Sequence, residues 1–318
     1  YLTKEPHERK CPQMIENIHH LLGDHTFQIV ALGTGLLGLV SGVVGTYITL
    51  RKESLLGDAL SHAALPGIGL AFMIMGHKNS LGLLLGASIV GVLATSLIKF
   101  IQHKSVVKFD SALSLILTSF FGLGLVLLTY IQRHGNASQA GLSNFIFGQA
   151  SAMLRSDVRL ITVISLLIFV IILLFWQPFK LQIFDPVFAR TIYTHPKRIE
   201  FMLSAITVLT IMIGLESVGV VLISALLIGP SIAARQWSNQ LHIVMILAGL
   251  FGTVSAVLGT FVSSMNRNIP TGPTIVIWIS LIVLISLLLA PNRGIFARKR
   301  RLKKKRQQLL QQAREEQA

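Results

Sequence analysis

Three observations predict an all-α, polytopic integral membrane protein with eight or nine transmembrane helices. Only 13% of the 318 residues are charged, whereas 52% are hydrophobic. That is about half the charged fraction of an ordinary soluble domain. Mean hydropathy is +0.68. Apolar runs of about 20 residues, the length that crosses a hydrocarbon core, recur along the chain. Such runs satisfy their backbone hydrogen bonds internally only as helices.

The elements follow in order. Residues 1–26 form a polar lead-in with His7, His19, His20 and His25 at irregular spacing, and no apolar stretch in it resembles a cleavable signal. The transmembrane domain is assigned to 27–291 and a basic cytoplasmic tail to 292–318. The first span, 27–50, is rich in glycine, which permits close helix contact. Arg51 and Lys52 end it, and a second span covers 56–75. Further spans are expected at 81–101, 111–131 and 158–176, with a short interfacial or re-entrant piece within 132–157. A polar connection then leads to a sixth span at 199–215. Glu216 interrupts the apolar pattern before a seventh at 218–228, which Pro230 is expected to stop. The eighth and ninth spans are placed at 243–263 and 274–289.

The formal charge of +15 would suit nucleic acid, but the basic residues cluster in loops beside apolar runs and in the tail. Membrane orientation accounts for them better. With nine spans, Arg51 and Lys52, the stretches 99–108 and 180–198, Arg235 and the tail all fall on one side. The N-terminus is then outside and the C-terminus cytoplasmic. The tail's basic run, 298–306, reads as an anchor on anionic lipid. The single cysteine, Cys11, excludes an internal disulfide framework and a cysteine-rich metal centre. Nothing matches the phosphate-cradling GxxxxGK[ST] loop, so ATP is not expected to bind this chain in that way.

The chemistry concentrates in 51–70, RKESLLGDALSHAALPGIGL. Asp58 and His62 are four residues apart, so on a helix they share a face with Cβ atoms about 5–6 Å apart. A carboxylate and an imidazole can then converge on one cation, and ionisable groups at membrane depth usually mark an ion or proton path. The alternative is a buried structural pair, with the carboxylate fixing the imidazole. Ser61 points about 100° from His62 and makes no nucleophile–base dyad, so an intramembrane hydrolase ranks last. Pro66 is expected to kink or end the helix after His62. Glu216 is read as a solvated helix end, or else an outer entry ligand. Gly229 to Arg235 reads as a helix stop followed by a short cytoplasmic segment.

Three stretches in order, GDALSHAALPGIGL (57–70), FDPVFARTIY (184–193) and GLESVGVVLISALLIGPSIAAR (214–235), resemble the membrane permeases of bacterial manganese/zinc ABC importers. The similarity extends over most of 27–291. Two departures are Tyr193-Thr194, where such proteins commonly carry glycine, and Glu216, often a neutral position. The resemblance implies a type II-like metal-class permease in the bacterial plasma membrane, working as a homodimer. It implies a separate cytosolic ATPase that uses the ATP, an extracellular protein that delivers Mn²⁺ or Zn²⁺, and no cofactor held by this chain. Asp58 and His62 of both copies would form the metal site. Gly229, Pro230, Ser231, Ala233 and Arg235 would couple to the ATPase, with Asp185 and Pro186 in a second contact. Imidazole and carboxylate without thiolate suit either metal. Two rivals remain at this stage: a proton-coupled secondary metal transporter, and an ABC importer of metal chelates.

Overall fold

A computed structural model describes residues 25–76, 79–134, 153–265, 269–291 and 294. They form twelve helices and no strand. In chain order these are α1 (His25–Leu50), α2 (Leu56–Ala63), α3 (Leu65–Met75), α4 (Ser80–Lys104), α5 (Phe109–His134) and α6 (Arg155–Leu174). There follow α7 (Trp176–Phe184), α8 (Pro186–Ile192), α9 (Pro196–Val218), α10 (Val220–Trp237), α11 (Leu241–Met265) and α12 (Thr271–Leu289). Counting α2 and α3 together, nine of the described segments are long and apolar enough to cross a membrane. The lead-in before His25, the piece at 135–152 and nearly all of the tail lie outside the described residues.

The bundle is organised on α1, whose apolar window is 67% buried against 22% for α6 and α12. Glycine makes this possible. A Cβ on Gly38 would lie 2.5 Å from the Gly252 carbonyl oxygen, and one on Gly42 2.3 Å from that of Ala248. The backbones of α1 and α11 therefore touch. Hydroxyls stitch the same seam: Thr34 and Thr260 lie 3.1 Å apart, and Thr253 donates to the Gly35 carbonyl at 3.3 Å. Close small-residue packing and interhelical hydrogen bonds replace the hydrophobic drive that lipid does not supply.

Two expected boundaries are corrected. Glu216 does not interrupt its span: α9 runs through it to Val218, and the break is Gly219, in the left-handed region at φ 86°. Pro230 does not stop the seventh span either, because α10 continues through it to Trp237. Its missing N–H costs one helical bond, but packing on α1 holds the segment straight through. Ser231 Oγ donates to Leu227 at 2.8 Å and approaches the Gly42 carbonyl at 3.2 Å. The break near Pro66 is as expected: α2 ends at Ala63, and Pro66 sits in the first turn of α3.

Candidate functional site

Asp58 and His62 lie on α2, a helix of eight residues set between two interruptions. Before it, Arg51 to Leu55 make a tight turn in which Lys52 takes a left-handed φ of 60°. After it, Ala64 and Pro66 divide α2 from α3. Glycine lets neighbours crowd the start of α3, just after the pair. A Cβ on Gly124 of α5 would lie 2.6 Å from Leu65 and 3.1 Å from Pro66, and one on Gly67 2.3 Å from the Gly86 carbonyl of α4. The ligand helix is thus short, anchored at both ends and wedged between α5 and α10.

His62 Nε2 stands 3.8 Å from Asp58 Oδ1. This is too long for a hydrogen bond, so the carboxylate does not clamp the imidazole as a purely structural pair would. It is shorter than two metal–ligand bonds of about 2.1 Å each laid end to end, so one ion can touch both groups. Asp58 is 55% exposed and His62 30%. The His62 ring meets Phe121 of α5 edge-on, with centroids 5.2 Å apart. Its Nδ1 is buried with no hydrogen-bond partner. Ser61 Oγ donates to the Gly57 carbonyl at 2.7 Å, away from any role as a nucleophile. Among the described residues no third His, Cys, Asp or Glu joins the pair.

The other predicted residues are dispersed. Glu216 is half-buried in the last turn of α9 and is not gathered with Asp58 and His62. Pro230, Ser231 and Ala233 are buried inside the bundle, and a Cβ on Gly229 would lie 2.2 Å from the Ile279 side chain. Arg235 is half-buried near the end of α10. Asp185 and Pro186 are exposed and start α8. The Asp185 carboxylate accepts the Phe188 N–H at 2.9 Å, and Pro186 occupies the first turn, where its missing N–H costs nothing. Tyr193 closes α8 in an extended conformation (φ −94°, ψ 129°), so no glycine is needed there.

Sequence reading passed over one cluster. Arg51 pairs with Glu53 at 3.0 Å and Glu200 at 3.5 Å, and Lys99 pairs with Glu200 at 2.9 Å. Lys99 Nζ also donates to Ser204 at 2.6 Å. Burial pushes the Glu53 carboxyl above its ordinary value, while Arg51 and Lys99 pull it down. The cluster ties the turn before α2 to α4 and α9. The signal was available in the charges at the ends of two otherwise apolar spans, but their partnership is separated by about a hundred residues of sequence.

Residues 24–290 match the family described as the ABC 3 transport family. The zinc transport system membrane protein TroC of Treponema pallidum is 44% identical over 275 residues, covering 86% of this chain and 92% of TroC. The manganese transport system membrane protein MntC of Bacillus subtilis is 42% identical, covering 91% of this chain and 66% of MntC. Among solved structures, PsaBC from Streptococcus pneumoniae in complex with Fab superposes with a TM-score of 0.77 at 31% identity. That match covers 91% of this chain and 99% of the other. With a match running from the start of α1 to the end of α12, the chain belongs to the ABC 3 transport family.

Proposed function

We propose that this chain is the membrane-spanning subunit of an ATP-driven importer of a divalent transition metal, manganese or zinc. Two copies form the path, and Asp58 and His62 from each surround the passing ion. The observation that carries this reading is the pair itself. It comprises the His62 Nε2 and an Asp58 carboxylate oxygen 3.8 Å apart, two ligands where a metal needs more. A two-fold axis beside α2 completes the set with two carboxylates and two imidazoles. Transport requires that such a site release its ion as well as hold it. The family membership and the printed functions of TroC and MntC support the substrate class. Manganese and zinc share this ligand set, and zinc binds the more tightly of the two. Selection between them is assigned to the extracellular metal-binding protein that delivers the ion.

The orientation places the Arg51, Lys104 and Lys197 ends of the spans in the cytoplasm, following the positive-inside rule. ATP is hydrolysed by a separate subunit, which docks on α7 and α8 rather than on the stretch 229–234, where Pro230, Ser231, Ala233 and Ala234 are buried. On α8, Val187 is 72% exposed, Phe188 50% and Ile192 54%, an apolar face on a rigidly capped helix. Restoring the chain to cells that lack it is expected to restore uptake of Mn²⁺ or Zn²⁺, and its ATPase is expected to co-purify with it. Phe188→Asp should reduce that co-purification about tenfold or more, the scale of losing one aromatic anchor. Arg235→Ala should leave it intact. The reverse pattern would return docking to the end of α10. Uptake without any nucleotide-binding subunit would favour a proton-coupled transporter.

A further inference from the structure

A groove of 680 Å³ opens between α4 and α9, with Gln182 of α7 and Arg190 of α8 also in its lining. Its inner walls are apolar: Val92 and Phe100 from α4 face Phe201, Ala205 and Val208 from α9. Its mouth is basic, with Lys99, His103 and Lys104 on α4, Arg190 on α8 and Lys197 on α9. Glu200 is the acidic residue in the lining, and it is already held by Lys99 at 2.9 Å and Arg51 at 3.5 Å. Among the described residues, Lys104, Arg190 and Lys197 form no ion pair. The groove thus has an uncompensated positive rim above an apolar floor.

Depth decides what fits. From Val92 to Lys104 along α4 is twelve residues, roughly 18 Å of helix. One leaflet's share of a hydrocarbon core is about 15 Å. A free phosphate would occupy the rim alone and leave the apolar length unused. An amphiphile with an anionic head and acyl chains satisfies both ends. We infer that the α4–α9 groove is a binding site for an anionic phospholipid of the cytoplasmic leaflet, its phosphate held by Lys104 and Lys197. The assignment rests on the orientation proposed above. Basic pockets between transmembrane helices on that side hold anionic headgroups for the same electrostatic reason. Since Arg190 of α8 lines the groove, an occupant would contact the helix proposed to receive the ATPase.

The test is native mass spectrometry of the full-length protein supplied with phosphatidylglycerol and phosphatidylcholine in equal amounts. The protein should retain phosphatidylglycerol preferentially. Lys104→Gln with Lys197→Gln should weaken retention on the order of twentyfold, about fivefold per charge removed. Both positions are exposed, and an unchanged melting temperature will show that the pair of changes is tolerated. Neutralising Lys303, Lys304 and Lys305 in the tail should leave the preference in place. Retention that survives the groove changes, or vanishes with the tail changes, would overturn the site. So would displacement by millimolar inorganic phosphate. None of these readouts uses metal transport, so failure of the lipid site and failure of the importer reading are distinguishable.

Discussion

His62→Ala is expected to reduce metal uptake by more than about a hundredfold, beyond the loss typical of residues that merely support a ligand. In a two-fold site the change removes two of four ligating side chains. It leaves two carboxylates that attract a cation but cannot fix it. Asp58→Ala should be equally severe for the opposite reason: the imidazoles remain, but the charge that draws a divalent ion into a low-dielectric path is gone. Neither change should disturb folding. His62 makes one edge contact with Phe121 and no hydrogen bond at Nδ1, and Asp58 is more than half exposed. Uptake of ⁵⁴Mn and ⁶⁵Zn by complemented cells, alongside co-purification of the ATPase, separates transport from assembly. Full uptake by His62→Ala would make the pair structural and bring the chelate importer forward.

Gly42→Val should cost the fold about 1–3 kcal/mol or more, the range for forcing extra atoms into a packed interior. The obstacle is backbone. A Cβ there lies 2.3 Å from the Ala248 carbonyl oxygen and 2.6 Å from its carbon, and neither can rotate away. The helices must separate, which also strains the Thr253–Gly35 contact about two turns away on α1 and the Ser231 approach to the Gly42 carbonyl. Gly122→Ala on α5 is the internal comparison, because nothing lies within 4 Å of a Cβ at that position. It should be neutral, or more stable by about 0.5–1 kcal/mol from helix propensity. Thermal unfolding of both variants in detergent decides the matter. Equal melting of Gly42→Val and the normal chain would mean that the α1–α11 seam is not as close as described.

How much of this was legible beforehand depends on the range of the interactions involved. The spans were legible because hydropathy acts over about 20 consecutive residues, and each apolar run marks itself. The shared face of Asp58 and His62 was legible because the i, i+4 rule is local, and the break near Pro66 because proline is favoured in a helix's first turn. Local rules also made the errors. Proline's tendency to end a helix lost at Pro230, where the seat of Ser231 on α1 outweighed one missing hydrogen bond. A charged residue's tendency to end a span lost at Glu216, where the nearby Gly219 supplied the turn instead.

What lay beyond local rules was the pairing of distant segments. No pattern within 38–42 says that these glycines meet 248–252, since small residues permit close approach without naming the partner. Likewise Lys99 and Glu200 each look like a charge at a helix end until α4 and α9 are set side by side. Composition and periodicity thus account for the class, the number of spans and the shared face of Asp58 and His62. Helix packing accounts for the exposure of α8, the burial of Pro230, Ser231, Ala233 and Ala234, and the basic groove. Steric fit between surfaces far apart in sequence is a property of the assembled bundle, and no single segment carries it.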